Sequence, residues 1–248
     1  MSDRGPSGLG SRAAFAVAAT GIEKLVALGI ALYLPRHLAL ADYGRYAFVL
    51  ACANFFQVVP DAGLEAVLVA RLAGTKGGVA RLAGQGAAVR LVVAVIGASL
   101  AVGFLALTLR GRGMLAPATV YALGLVLVAA NPYRVLLRGG LRMQRYLALL
   151  AGQASVAMAL VVLGIVAGGG LVVVLGGIAT AALWGLVLGR VLAGPGARPE
   201  FDTQLGRALV VAAWPLAAGT LLLAGAQQVL LVLLLRTHGE GAMGLLGG

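Results

Sequence analysis

Residues Ala13 to Leu34 read AAFAVAATGIEKLVALGIALYL. About twenty consecutive apolar residues suffice to cross a bilayer as a helix, and Glu23 and Lys24 are the only charged residues in this run. A charged side chain at the bilayer centre costs roughly 2.5–3.5 kcal/mol even on lenient insertion scales. Two adjacent charges there imply a polar interior, and in a helical bundle that interior is usually a cavity used for transport. The stretch therefore points to an all-α membrane protein and marks its first candidate site.

Composition agrees. The chain has 248 residues, a mean hydropathy of +1.00, 61% hydrophobic residues and 11% charged residues. A soluble domain carries about 25% charged residues, so this chain lacks the polar surface that water demands. It reads as a polytopic membrane protein. Met1–Gly10 is polar and rich in Gly and Ser, and the first apolar run is of full-span length, so no cleavable signal is expected. The net charge of +11 is spread between apolar spans instead of clustering with aromatic residues, which argues against a nucleic-acid partner. Cys52, the single cysteine, excludes an intrachain disulfide and a cysteine-based metal site and reads as a small packing residue.

Seven candidate spans follow from the hydropathy pattern, over 13–34, 43–60, 86–109, 115–137, 148–167, 171–192 and 209–235. Their Ala/Leu-rich runs lack the alternation of transmembrane strands. With the N-terminus inside, the cytoplasmic segments hold Arg4, Arg12, Arg71, Lys76, Arg81, Arg90, Arg134, Arg138, Arg142, Arg145, Arg190, Arg198 and Arg207. The outer segments hold only Arg36, Arg45, Arg110, Arg112 and Arg236. This bias sets a cytoplasmic N-terminus and supports the span count, since a missed helix would scramble the alternation.

The flanks of the first and seventh spans resemble one another. Ser11-Arg12-Ala13 precedes the first and Gly206-Arg207-Ala208 the seventh; Pro35-Arg36-His37 and Arg236-Thr237-His238 follow them. Internal repeats are common in transporters. The expected organisation is a six-helix transmembrane lobe over 1–200 and the first helix of a truncated second lobe over 201–248.

At 100° per residue, Glu23 shares a face with Ala16, Ala19, Thr20, Ala27 and Ile30, while Leu25, Leu28 and Leu32 lie opposite. Small residues favour close helix packing and leucines favour lipid, so Glu23 is expected to point into the bundle with Lys24 bordering the same cavity. Glu23 is a candidate proton- or cation-sensitive group and Lys24 a candidate point charge for an anion. In the second span Asn54, Gln57, Asp61 and Glu65 fall on one helical face. They form a candidate cavity wall, although Asp61 and Glu65 also suit a place at the water interface. Pro60 removes a backbone donor there and marks a candidate kink. Arg134, Arg138, Arg142 and Arg145 are candidates to collect an anionic headgroup or anionic lipid, unless Gly139-Gly140 interrupts their shared face; ordinary topological anchoring is the simpler alternative. Gln227 and Gln228 are candidates for an opposing wall, and Asn131 and Gln153 are lesser polar candidates. The sequence has no P-loop, nucleotide fingerprint or HExxH metal motif, and catalysis is not expected.

The run Leu34-Pro35-Arg36-His37-Leu38-Ala39-Leu40-Ala41-Asp42-Tyr43-Gly44-Arg45-Tyr46-Ala47 resembles the loop and second-helix start of Wzx-type polysaccharide flippases. Asp61-Ala62-Gly63-Leu64 followed by Arg71 looks like the end of their second helix. Leu136-Leu137-Arg138-Gly139 with Arg142 and Arg145 is similar to their fourth-to-fifth helix connection, and Trp214-Pro215-Leu216 to the opening of their second half. The order and spacing of these motifs extend the resemblance over nearly the whole chain. It implies paired six-helix lobes around a central cavity in the bacterial inner membrane, exporting an undecaprenyl-pyrophosphate-linked oligosaccharide by alternating access for surface polysaccharide such as O-antigen. The partners it implies are that lipid-linked oligosaccharide, membrane lipids, and a glycan polymerase or glycosyltransferases. No cofactor is expected, apart from coupling to protons or Na+. A cation-coupled multidrug extruder of the same superfamily and a non-transporting scaffold are the alternatives.

Overall fold

The computed structural model describes residues 6–58, 63–74, 78–108, 114–140, 142–194, 200, 202–222 and 225. Every regular element among them is a helix: α1 (Pro6–His37), α2 (Leu40–Val58), α3 (Glu65–Gly74), α4 (Val79–Thr108), α5 (Leu115–Ala129), α6 (Pro132–Gly139), α7 (Met143–Val166), α8 (Leu171–Ala193) and α9 (Thr203–Leu222). Among the described residues, six stretches are long and apolar enough to cross a membrane: Val17–His37 of α1, α4, α5 with α6, α7, α8 and α9. The expected second span forms α2 but is not among these six. Asp42, Arg45, Asn54 and Gln57 dilute its apolar run.

The outer face is what lipid requires. Leu25, Leu28, Leu32, Ile96, Leu100, Leu107, Leu123 and Val187 are all more than half exposed. Apolar burial gives little drive for helix association in a bilayer, so close fit and polar contacts must hold the helices together. Two glycines show that fit. A Cβ on Gly97 of α4 would lie 2.8 Å from the Phe56 carbonyl oxygen of α2. A Cβ on Gly63, just before α3, would lie 2.9 Å from the Ala213 carbonyl oxygen of α9. Both are backbone atoms, which do not yield as a flexible side chain does.

The packing order is a ring. α1 packs on α7, α7 on α8, α8 on α5, α5 on α4 and α4 on α2, while α1 and α2 touch only lightly. At one end, buried Leu34, Tyr43, Phe48, Leu105, Val161 and Leu175 join α1, α2, α4, α7 and α8. At the other end, Leu64, Leu68, Leu72, Ala83, Val135, Leu209 and Ala213 join α3, α4, α6 and α9. The first residues of α9 therefore pack beside α3 and α4.

The span expected over 115–137 is broken into α5 and α6. Asn131, 2% exposed, caps α6 in an extended conformation, and its Oδ1 accepts a hydrogen bond of 3.0 Å from the Tyr133 backbone N–H. Pro132 occupies the first turn, where its missing N–H leaves no intrahelical bond unmade. Asn131, a polar candidate by sequence, is thus a helix cap.

Candidate functional site

The light α1–α2 contact leaves room for a cavity of about 800 Å³. Glu23, Lys24, Ala27 and Ile30 of α1 form one wall. Tyr43, Tyr46 and Leu50 of α2, Tyr121, Leu125 and Val128 of α5, Gln153 of α7 and Ile178 of α8 form the others. The expected inward face of α1 is buried in part, with Thr20, Glu23 and Ala27 on it exposed. Ala19 is fully buried and Ile30 is 7% exposed, whereas Leu25, Leu28 and Leu32 face outward.

A second cavity of about 780 Å³ shares Glu23, Leu125, Val128 and Gln153 with the first, so the two adjoin at these residues. Its remaining lining comes from Glu65, Ala66, Val69 and Ala70 of α3 and from Arg134 and Arg138 of α6. The first chamber is mainly apolar and aromatic; the second is ionic.

Five charged side chains organise the ionic chamber. Arg134 Nη2 donates to Glu23 Oε1 at 3.3 Å, linking α6 to α1. Arg138 Nη1 donates to Glu65 Oε1 at 3.3 Å. Arg90 Nη2 donates to the other oxygen, Glu65 Oε2, at 3.0 Å. Their side-chain exposures differ sharply: Arg90 1%, Arg134 13%, Glu65 13%, Glu23 46% and Arg138 48%. Arg134 and Arg138 are four residues apart on α6, which puts both on one helical face. The α5–α6 break points that face at the chamber. Gln153 stands where the chambers meet; its Oε1 is buried without a hydrogen-bond partner among the described residues, against Gly185 of α8.

Several expectations change. Arg90, counted above with a cytoplasmic segment, lies fully buried in α4, eleven residues or roughly 16 Å past Val79. The helix simply begins earlier than hydropathy indicates. The four arginines 134–145 do not share a face. α6 ends at Gly139, Arg142 precedes α7 and is exposed, and Arg145 Nη1 donates to the Leu192 carbonyl at 2.9 Å. That bond satisfies an end carbonyl of α8. Of the polar stripe expected in the second span, Asn54 and Gln57 belong to α2 and Glu65 opens α3. Glu65 is a chamber residue held by two arginines.

Asp61, Gln227 and Gln228 lie outside the described residues, as do the side chains of Asn54 and Gln57. The inward role of Arg90 and the three tyrosines Tyr43, Tyr46 and Tyr121 escaped the sequence reading. Arg90 lies inside the expected 86–109 span, so the anomaly that singled out Glu23 also applied to it. The tyrosines carry no such signal, because aromatic residues are equally at home in packing.

Comparison with curated proteins and with solved structures gives no match. A family model described as "polysaccharide biosynthesis protein" matches residues 9–248. That span covers every helix among the described residues except the first turn of α1, and it agrees with the resemblance carried by the sequence motifs. With its all-helical fold and its six apolar helices of spanning length, the chain is a multi-pass membrane protein that belongs to the polysaccharide biosynthesis protein family.

Proposed function

We propose that the chain is a lobe of a flippase that exports an undecaprenyl-pyrophosphate-linked oligosaccharide across the bacterial inner membrane by alternating access. The observation that carries this reading is the pairing of the two chambers. An aromatic and apolar cavity adjoins one that presents arginines, carboxylates and an amide. A diphosphate needs cations, and sugar rings suit tyrosine faces and hydrogen-bonding edges. The site residues proposed are Glu23, Lys24, Glu65, Arg134, Arg138 and Gln153, with Asn54, Gln57, Asp61, Gln227 and Gln228 as further cavity candidates. In this reading 1–200 is one lobe, α9 opens the second, and the N-terminus is cytoplasmic. Glycan polymerase or glycosyltransferases are proposed partners, and protons or Na+ the coupling ions.

The test is complementation of a strain whose own flippase is deleted. Glu23→Gln and Lys24→Ala are expected to reduce surface glycan about tenfold or more at unchanged membrane abundance, as loss of a charge-assisted contact implies. Wild-type glycan in both variants would remove these residues from the transport path. Drug efflux without glycan export would instead select the multidrug extruder.

A further inference from the structure

Gln153 lies in the middle of α7, roughly 15 Å from the start of that helix, and lines both chambers. Glu23, Leu125 and Val128 do so too, so a group moving between the chambers passes these side chains. Glu23 is held by Arg134, and Leu125 and Val128 present only hydrocarbon. Gln153 differs from them: its Oε1 is buried and accepts no hydrogen bond among the described residues. An acceptor withdrawn from water and given no donor is costly to keep there. The amide rests on Gly185 of α8, where a Cβ would lie 2.7 Å from Oε1 and 2.9 Å from Cδ. Gly185 is buried in the interior of α8, a place where glycine is a poorer helix former than alanine. Its lack of a side chain makes a notch that receives the amide without satisfying it.

We propose that Gln153 turns between two positions and reads whether the lipid diphosphate carries a sugar. With the junction empty, the amide lies on Gly185. When a hydroxyl or N–H group arrives there, the amide leaves the notch and its oxygen accepts a hydrogen bond from the ligand. The turn converts an unmet acceptor into a met one, and that difference is what lets a ligand shift the population. Ala157 lies one turn along α7 from Gln153, and Ala181 one turn along α8 from Gly185. Both line the first chamber, and their methyl groups leave the amide room to move. With the diphosphate among Arg134 and Arg138 of the ionic chamber, the group that meets Gln153 is the first sugar ring beyond it. Sugar hydroxyls donate hydrogen bonds, whereas ionised phosphate oxygens only accept them, so a bare diphosphate leaves Oε1 unmet. This inference rests on the flippase reading and names the residue that distinguishes a loaded carrier from an empty one.

The experiment uses the full chain in lipid nanodiscs. Native mass spectrometry measures binding of undecaprenyl diphosphate, undecaprenyl diphosphate carrying one hexose, and phosphatidylglycerol. Wild type is expected to bind the hexose-bearing lipid more tightly than the bare diphosphate. Gln153→Leu keeps the bulk and removes the amide; it should weaken hexose-lipid binding about three- to tenfold, the range of one neutral hydrogen bond, and leave the bare diphosphate unchanged. Gly185→Ala fills the notch and holds the amide out. Because the resting position is the one populated when the junction is empty, the competent fraction of wild type is below about one half. Gly185→Ala should therefore tighten hexose-lipid binding at least about twofold. In a Gln153→Ala background the same change should leave binding alone, since no amide remains to be displaced, and raise the unfolding temperature, since alanine is the better helix former. Should Gly185→Ala fail to fold, Gln153→Leu decides.

Hexose-lipid binding unchanged in Gln153→Leu, or equal binding of the two diphosphate lipids by wild type, would overturn the reading role and leave the flippase reading standing. Equal or weaker hexose-lipid binding by folded Gly185→Ala would overturn the two-position exchange. A tightening that persists in the Gln153→Ala background would trace the effect to α7–α8 packing and overturn it as well. A wild type that binds phosphatidylglycerol as tightly as either diphosphate lipid would overturn the flippase reading itself.

Discussion

Arg90 has a guanidinium 1% exposed inside a helix of spanning length. A buried cation survives only with a counter-charge close by, and Glu65 at 3.0 Å supplies it. Removing one member of a buried pair typically costs about 3–5 kcal/mol, a ceiling for Arg90→Met because Arg138 still holds Glu65 at 3.3 Å. Replacing both by apolar residues of similar volume is far less damaging. Arg90→Met and Glu65→Leu are therefore each expected to lower the thermal unfolding temperature in detergent markedly. The double variant should recover most of the loss, giving a coupling energy well above 1 kcal/mol in the double-mutant cycle. Additive losses would show that the pair is incidental to folding. This residue also shows how far charge was legible in the sequence. Glu23 and Lys24 stood out because the apolar run continues on both sides of them. Arg90 sits near a predicted helix start, where a basic residue reads as an interfacial anchor, and only the true start at Val79 reveals its depth.

The break between α5 and α6 decides where the arginines of the site point. An uninterrupted helix over Leu115–Gly139 would advance 100° per residue and turn Arg134 and Arg138 to a heading fixed by α5. The Asn131–Pro132 pair resets that heading. Asn131 closes α5 through its backbone N–H to the Val128 carbonyl and opens α6 through its side chain. Asn131→Ala is expected to cost about 1 kcal/mol, as for other lost N-caps, and to reduce glycan export beyond what that loss of stability explains. Asn131→Asp retains an acceptor for Tyr133 N–H and should restore most of both. An Asn131→Ala variant with full export would show that the cap does not position the arginines. Hydropathy placed a single span over 115–137 because apolar content does not register a change of axis. Helix existence was legible from long apolar runs; helix direction depends on caps and prolines whose effect appears only in three dimensions.

The whole molecule shows a consistent polarity. Arg145 reaches the end of α8 at Leu192, Arg81 pairs with Glu200 at 3.2 Å, and Arg71 Nη2 lies 3.5 Å from the Ala208 carbonyl of α9. These contacts gather the basic ends of α3, α4 and α7 with the end of α8 and the start of α9 at one end of the bundle. The sequence reading assigned that end to the cytoplasm because Lys and Arg resist translocation. The removal of Arg90 and Arg134 from the anchoring set, as residues of the interior, thins this bias without reversing it. Orientation then becomes a question that single cysteines can answer. Cys52 is 1% exposed in the core, so Cys52→Ala provides a background with no thiol. In that background Ala167→Cys lies in the α7–α8 connection and Gln144→Cys in the first turn of α7, both at exposed positions and at opposite ends of one helix. A membrane-impermeant maleimide applied to cells with an opened outer membrane is expected to label Ala167→Cys directly. Gln144→Cys should react only after the inner membrane is permeabilised. The reverse pattern would invert the chain and place the ionic chamber nearer the outer surface.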